Sequence, residues 1–286
     1  MTALDDSLAT AYLERLGVEA RPNEVDAAML ATLQRAHIAA VPYESIDIAR
    51  GAAPGIDPVA AARRIVAGRG GYCYHLNGGF ALLLEWLGVE VTRHVAGVTG
   101  RTASEPSRPS GNHLGLTVAV GGTRWFVDVG LGDGPAEPLP LVAGSYAQDG
   151  WLYGLEPSPI APGGWRFNHD ENGSFVFADV ALEQAVTADF AAMHVQLSTD
   201  PESGFVRIAT VQRRVGTRLE VLRGCVFLER DGAAEQRRDI DSQDEWWSLV
   251  VDRFGLAYDD LSSAERADLW RKVRATHDAW DAAGRP

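Results

Sequence analysis

The chain has 286 residues, of which 46% are hydrophobic, and a formal net charge of −13 at neutral pH. Such an acidic chain is poorly suited to the phosphate backbone of nucleic acids, while its length and apolar content are sufficient for a large core. No apolar run approaches the roughly 18 residues of a membrane span, and the acidic start MTALDDS lacks the basic region of a secretion signal. Two cysteines give no disulfide framework, which fits a reducing cytoplasm. From the charge, the absence of a long apolar run and the cysteine content together, we predict a cytoplasmic protein that contacts neither nucleic acid nor membrane.

The first part of the chain, residues 1–88, is predicted to be mainly helical. The predicted helices are ATAYLERLGV, a helix that begins at Pro22, DPVAAARRIVAG and the segment that follows Cys73. In the last of these, four large apolar residues recur at spacings of three and four, and Gly88 follows as a stop signal. This pattern predicts a helix with one buried stripe.

Cys73 lies behind two glycines and at the start of this predicted helix. Unpaired backbone N–H groups and the positive end of the helix dipole favour the thiolate form of a cysteine at such a position. The position therefore suits a nucleophile. A buried structural cysteine is the alternative, because burial is the commonest state of a free cysteine.

The segment from Asn112 to Gly134 is predicted to be a β-hairpin with one strongly apolar face. Apolar residues alternate with small or polar ones on both sides of the Gly121-Gly122 pair. If this pair is the two-residue turn, Val120 pairs with Thr123.

This register brings His113 and Asp128 to the same face of the hairpin, as diagonal neighbours roughly 7–8 Å apart. An ordinary surface pair is one interpretation. With Cys73 upstream, the alternative is a Cys-His-Asp triad, which needs a nucleophile, a base and an orienting acid.

Beyond the first helices, the middle of the chain is predicted to consist mainly of strands, interrupted by loops at 100–111 and 157–164. The last part is predicted to open with strands over residues 206–228 and to end in helices. Two of these helices have the Ser-x-x-Glu spacing of a capping box, beginning at Ser242 and Ser262.

Several short motifs occur in a fixed order along the chain. They are R-G-G-x-C at residues 69–73, a histidine segment at 113–116, V-D-V-G-x-G at 127–132, H-x-x-x-x-P-[FY]-E at 37–44, and the strands at 203–225. On these motifs the chain resembles the arylamine N-acetyltransferase family. It departs from the family's pattern at His75, where the family usually has Glu, and at Ser45, where it usually has Asn.

The resemblance implies an α+β fold with a papain-like or transglutaminase-like Cys-His-Asp core. The expected parts are an N-terminal helical bundle that carries the nucleophile (1–88), a central β-barrel that carries the histidine and the aspartate (89–200), and a C-terminal α/β lid (201–286).

The resemblance also implies acetyl-CoA-dependent N-acetylation of arylamines, arylhydrazines or related small amines, by a ping-pong mechanism through an acyl-cysteine. The implied catalytic residues are Cys73, His113 and Asp128. The residues expected against the acceptor are Tyr43, Tyr72 and Leu131, and those expected against coenzyme A are Gly132 and Phe205. No metal is expected. A metal site of Cys73, His75 and His113 is the alternative, but no CxxC accompanies it.

The net charge of −13 opposes an anionic cosubstrate such as coenzyme A, so a local cradle is required. The segment GLGDGP at 130–135 offers backbone N–H groups to a pyrophosphate, although a plain turn would have the same sequence.

Three other functions are compatible with these residues. A macrolactam-forming amide synthase would use the same triad with a long acyl chain and a wider cleft. A cysteine peptidase or transglutaminase would share the order of the triad. A non-enzymatic binding module would have no use for it.

Overall fold

A computed structural model describes residues 3–18, 21–232 and 234–285 of the chain, so Met1 and Thr2 of the acidic start lie outside it. The N-terminal helices are α1 (Asp6–Arg15), α2 (Ala27–Ala40), α3 (Ile46–Ala49), α4 (Pro58–Val66) and α5 (Cys73–Trp86). None of the described helices has the length and apolar character needed to cross a membrane.

Helix α2 does not begin at Pro22, as the sequence pattern predicted. Asp26 is the N-cap, and its carboxylate accepts a hydrogen bond of 2.8 Å from the backbone N–H of Met29. A side-chain oxygen that binds a free N–H group of the first turn defines where a helix starts, and this cap lies four residues beyond the proline.

Helix α5 begins at Cys73 and ends before Gly88, as predicted, and Gly88 has a φ of +88°. It does not have a single buried stripe, because every residue from Cys73 to Leu84 is buried. The helix packs against α4, α1 and two strands of the central sheet, so its polar residues are inside the protein together with its leucines.

The central part of the chain forms an eight-stranded antiparallel sheet that curves around its own apolar core. The strand order is β5-β4-β3-β2-β9-β8-β7-β6. The strands are β2 (Glu90–Gly100), β3 (His113–Val120), β4 (Thr123–Val127), β5 (Leu139–Pro140), β6 (Gly144–Gln148), β7 (Trp151–Pro157), β8 (Trp165–Asn168) and β9 (Phe175–Gln184). Val120 pairs with Thr123, which confirms the Gly-Gly turn.

A second, five-stranded sheet has the order β1-β10-β11-β12-β13. Its strands are β1 (Tyr43–Glu44), β10 (Thr210–Val215), β11 (Arg218–Arg223), β12 (Val226–Asp231) and β13 (Ala234–Asp239). Because β1 pairs with β10, a segment of the first 88 residues belongs to the sheet of the C-terminal part. Strand β13 lies beyond the predicted strands, since its sequence AEQRRD has no apolar alternation and forms an exposed edge.

The remaining helices are α6 (Ala191–Thr199), α7 (Gly204–Arg207), α8 (Gln243–Ser248) and α9 (Ser263–Ala282). Helix α9 begins with a complete capping box of Ser262 and Glu265, as predicted. At α8 the hydroxyl of Ser242 accepts a hydrogen bond from the backbone N–H of Glu245. Both helices cover one face of the five-stranded sheet through a core rich in aromatic residues.

Candidate active site

Cys73 occupies the first position of α5. The preceding residue, Tyr72, is in an extended conformation, and its side chain makes no capping hydrogen bond. In the first turn the N–H of His75 donates to the carbonyl oxygen of Tyr72, which leaves the N–H groups of Cys73 and Tyr74 for other partners. The Cys73 side chain is nearly buried, its Sγ lies 3.8 Å from the carbonyl oxygen of Asn112, and it faces a cavity of about 360 Å³.

The hairpin β3-β4 brings His113 and Asp128 together. His113 is the first residue of β3, and Asp128 follows the last residue of β4. The Nε2 atom of His113 donates a hydrogen bond of 2.6 Å to Oδ2 of Asp128. This bond leaves the other ring nitrogen of His113 for Cys73. The predicted diagonal pair is therefore present in the structure.

The surroundings of His113 favour its charged form. Burial by itself lowers the pKa of this imidazole, but attraction to the Asp128 carboxylate and to Cys73, with hydrogen bonds to both, raises it to about 10. His113 is thus an imidazolium at neutral pH. A thiol beside a fixed positive charge is the arrangement that activates cysteine nucleophiles.

Asn77 completes the site, and the sequence analysis missed it. Its Nδ2 donates to Oδ1 of Asp128 at 3.0 Å and to the carbonyl oxygen of Leu114 at 2.7 Å, while its Oδ1 accepts from the N–H of Val129 at 2.8 Å. The N–H of Gly130 also donates to Oδ1 of Asp128. The available signal was the spacing Cys-x-x-x-Asn, which places both residues on one face of a helix.

Gly130 allows the hairpin to lie directly against the nucleophile. A Cβ atom at this position would be 2.7 Å from Cα of Cys73 and 3.0 Å from Nδ2 of Asn77. At Gly115, by contrast, a Cβ atom would be no closer than 3.5 Å to its nearest neighbour, a methyl group of Val180. Of these two glycines, only Gly130 is required by close packing.

Two of the three residues predicted to contact the acceptor line the cavity at Cys73. Tyr43 and Leu131 are part of its wall. Although its ring packs edge-on against Phe205, which does line this cavity, Tyr72 is not among the lining residues. Its side chain is fully buried, its ring packs edge-on against Tyr74, and its hydroxyl forms a hydrogen bond with Nδ1 of His194.

Of the two residues predicted to contact coenzyme A, Phe205 lines the cavity. Gly132 does not: it packs against Gln212, so that a Cβ atom there would be 2.0 Å from the amide oxygen. In the same GLGDGP loop, the buried Asp133 carboxylate accepts hydrogen bonds from the N–H and the hydroxyl of Ser174. The backbone N–H groups of Gly130 and Asp133 already donate to Asp128 and to the carbonyl oxygen of Leu131, so these two are not free for a pyrophosphate.

His75 lies apart from the catalytic cavity. Its ring lines a separate, very small cavity together with Glu44, Asp47 and Arg64. Burial, with a smaller effect of Arg64, lowers the pKa of His75 to about 3, so this ring is neutral. Cys73 and His75 do not face one common site, and no group of three or more His, Cys, Asp or Glu residues within the described ranges is arranged to hold a metal.

Comparison with known proteins shows the family to which the chain belongs. A family model described as N-acetyltransferase matches residues 26–262. An arylamine N-acetyltransferase from Mycolicibacterium smegmatis is 31% identical over 271 residues, covering 89% of this chain and 94% of that protein. The chain belongs to the arylamine N-acetyltransferase family.

Membership of the arylamine N-acetyltransferase family makes the protein an acyltransferase, and the solved structures confirm its fold class. The structure of a Mycolicibacterium smegmatis arylamine N-acetyltransferase superposes with a TM-score of 0.83 at 28% identity, covering 94% of this chain and 99% of that one. A protein named proansamycin X synthase, from Amycolatopsis mediterranei, is 36% identical over 141 residues, which are 48% of this chain and 53% of that protein.

Proposed function

We propose that this protein transfers the acetyl group of acetyl-CoA to the nitrogen of an aromatic amine or hydrazine, by a ping-pong mechanism through an acyl-Cys73 intermediate. The observation that carries the proposal is the chain of contacts from Cys73 to His113 and from His113 to Asp128. The family membership and the relative named arylamine N-acetyltransferase support the acceptor class.

In the first half-reaction the Cys73 thiolate attacks the acetyl carbonyl carbon, and the bond from this carbon to the sulfur of coenzyme A breaks. The leaving thiolate takes the proton of the His113 imidazolium, so that coenzyme A departs as the thiol. One thioester replaces another, so the exchange is nearly neutral in free energy. The N–H groups of Cys73 and Tyr74 at the start of α5 are suited to the negative charge on the carbonyl oxygen.

In the second half-reaction the amine nitrogen attacks the acyl-Cys73 carbonyl and the carbon–sulfur bond breaks. His113 takes the proton from the nitrogen, which restores the thiolate and imidazolium pair. Asp128 holds the imidazole through Nε2 in both steps. This arrangement requires no metal.

The shape of the cavity supports a small aromatic acceptor. Its volume of about 360 Å³ lies at the lower end of the roughly 300–1,000 Å³ typical of small-molecule sites. Tyr43, Leu131 and Phe205 give it apolar walls. The cytoplasmic location stays a prediction, and it suits a thiol that must remain reduced.

Intact mass spectrometry after incubation with acetyl-CoA tests the proposal. We expect one acetyl adduct, located at Cys73 by peptide mapping, and no adduct and no turnover in Cys73→Ser. Cys225→Ala is the matched control, since Cys225 is fully buried and burial raises the pKa of its thiol to about 11. An adduct on Cys225, or turnover by Cys73→Ser, would show that the assignment is wrong.

A macrolactam-forming amide synthase is the second candidate, and the similarity of half the chain to a protein named as a synthase favours it. Both activities begin with acylation of Cys73, so the mass experiment does not separate them. The transfer of the acetyl group from Cys73 to an added amine distinguishes the two activities. Aniline should discharge acetyl-Cys73 within the turnover time if the acceptor is a separate small amine, whereas a synthase should retain the acetyl group.

A further inference from the structure

Ser174 lines the catalytic cavity, and a buried carboxylate fixes the orientation of its hydroxyl group. Ser174 immediately precedes β9 and is exposed to solvent. Its Oγ donates a hydrogen bond of 2.7 Å to Oδ1 of Asp133, and its backbone N–H donates another of 2.7 Å to Oδ2. One residue therefore engages both oxygens of the carboxylate, and its side chain is held in one orientation.

Asp133 is held from the opposite side by His169. Nε2 of His169 lies 3.2 Å from Oδ1 of Asp133. Burial by itself raises the pKa of Asp133, but attraction to His169 and the hydrogen bonds from Ser174 lower it below its usual value. The carboxylate is therefore ionised at neutral pH. Four aromatic rings surround the His169 ring and fix its position, those of Trp151, Tyr153, Phe167 and Phe175.

The hydroxyl group of Ser174 can act only as an acceptor toward a molecule in the cavity. A hydroxyl has one hydrogen and two lone pairs, and an ionised carboxylate can only accept. Because the hydrogen of Ser174 is donated to Asp133, only lone pairs remain for a ligand. Within the described ranges no other group donates a hydrogen bond to this oxygen. The negative charge of Asp133 behind it opposes a second anion.

Strand β2 indicates how far Ser174 lies from the catalytic base. Ala96 of β2 is opposite His113, and Gly100 of β2 is opposite Phe175, the residue that follows Ser174. Four residues of an extended strand span roughly 13 Å. Ser174 and His113 therefore lie toward opposite ends of the cavity.

The wall between these two ends leaves room for a ring. Val98 and Gly100 are alternate residues of β2, so they face the same side of the sheet, and both line the cavity. A Cβ atom at Gly100 would meet no heavy atom within 4 Å beyond its chain neighbours. An aromatic amine with its nitrogen at Cys73 can therefore place the opposite end of its ring near Ser174.

We propose that Ser174 determines acceptor specificity, by accepting a hydrogen bond from a hydroxyl or amino group at the far end of an aromatic amine. The preferred acceptors are then hydroxyanilines and aromatic diamines, and a carboxylate at the same ring position is disfavoured by Asp133. This inference rests on the proposed acyl transfer, which assigns the other end of the ring to Cys73.

Protection of Cys73 from iodoacetamide measures the binding of these amines without any acetyl transfer. We expect 4-aminophenol to bind about three- to tenfold more tightly than 4-methylaniline, which has the same shape, because this is the effect of one hydrogen bond. 4-Aminobenzoate should bind more weakly than either. Ser174→Ala should remove the difference between the first two, and the same comparison of kcat/KM with acetyl-CoA should lose it as well.

Two further variants complete the experiment. Asp133→Asn places an amide N–H beside Oγ of Ser174, so the hydroxyl can turn its hydrogen toward the cavity and the preference should shift toward 4-aminobenzoate. Ser145→Ala is the matched control, since it removes an exposed hydroxyl of β6 that lies outside the cavity. It should leave every ratio unchanged.

Equal protection by 4-aminophenol and 4-methylaniline in the native enzyme would overturn the inference. So would a native ratio in Ser174→Ala, or no protection by any of the amines. Because protection is a binding measurement, an enzyme that selects 4-aminophenol through Ser174 but transfers no acetyl group would contradict the proposed function and not the role of Ser174. If Asp133→Asn does not fold, Ser174→Ala alone decides.

Discussion

Asp128 is the residue that keeps His113 charged. Its carboxylate is fully buried, and both oxygens accept hydrogen bonds. Oδ2 accepts from Nε2 of His113, and Oδ1 accepts from Nδ2 of Asn77 and from the N–H of Gly130. Burial alone lowers the pKa of His113, and Asp128 is the largest of the effects that raise it. The charge of the base therefore depends on one neighbouring side chain.

We expect Asp128→Asn to preserve the fold and to reduce turnover about 10³- to 10⁴-fold, because an amide cannot stabilise the imidazolium and favours a different tautomer. NMR should show the His113 imidazole titrating near pH 10 in the native enzyme and at a much lower pH in the variant. Iodoacetamide should alkylate Cys73 more slowly in the variant. Native turnover and an unshifted titration in Asp128→Asn would mean that Asp128 is only structural.

The raised pKa of His113 also has a consequence for stability. The imidazole titrates near 6.5 when unfolded and near 10 when folded, so between these values the native state binds the additional proton. Its contribution to the free energy of unfolding is complete below about pH 6.5 and is lost as the pH rises toward 10.

At position 75 this chain has His where the family usually has Glu, and His75 does not line the catalytic cavity. Because His75 is neutral and lines a separate cavity, we expect His75→Glu to keep the rate of acetyl transfer to a simple arylamine within about tenfold, or about 1.4 kcal/mol of transition-state energy. Steady-state kinetics with acetyl-CoA and aniline would measure this. A complete loss in a folded variant would show that His75 acts in catalysis.

At the scale of elements, the site depends on the contact between the start of α5 and the end of hairpin β3-β4. Asn77 binds the hairpin backbone on both sides, through Leu114 and Val129. Gly130 permits the approach of the backbone to Cys73. Hydrogen bonds and close packing act together here, so a small change in volume should separate the nucleophile from its base.

Gly130→Ala tests this contact. Its Cβ atom would lie 2.7 Å from a backbone atom of Cys73, and overpacking of this kind costs about 1–3 kcal/mol. We expect a lower melting temperature and at least a hundredfold loss of turnover. Gly115→Ala, on the same hairpin face, adds the same methyl group at an ordinary 3.5 Å contact and should change both quantities little. Equal behaviour of the two variants would rule out the packing argument.

At the scale of the whole molecule, Arg69 joins the nucleophile loop to the C-terminal part of the chain. Its guanidinium lies 3.6 Å from the centre of the Tyr258 ring, pairs with Asp260, and has an Nη1 atom 3.6 Å from Asp47. The N–H of Ala257 donates to the carbonyl oxygen of the preceding residue, Gly68. Residues far apart in sequence thereby support the start of α5.

We expect Arg69→Lys to lower the free energy of unfolding by about 1–3 kcal/mol, because an ammonium group cannot both stack on Tyr258 and serve two carboxylates. Thermal denaturation should show a clear decrease in melting temperature. Arg63→Lys, at an exposed position of the neighbouring helix α4, is the control and should have almost no effect. A shift no larger than that of the control would exclude a bridging role for Arg69.

The sequence by itself determined the parts of the site that depend on short-range pattern. Alternation of apolar residues and the Gly121-Gly122 turn were enough to place His113 beside Asp128, because hairpin register follows from turn length. Apolar spacing and Gly88 defined α5 and put Cys73 at its start. Where the local chemistry was misjudged, at the start of α2, the predicted first residue Pro22 lies five residues before the observed first residue Ala27.

Only the tertiary structure decided what depends on contacts between distant segments. Tyr43 pairs with Gln212 across strands β1 and β10, and this pairing brings two residues of the cavity at Cys73 together from distant parts of the chain. The packing of α5 against the central sheet connects Asn77 to Asp128, and Tyr72 is fully buried. Such pairings depend on the packing of whole layers, and the periodicity of one segment contains no information about which distant segment it will meet.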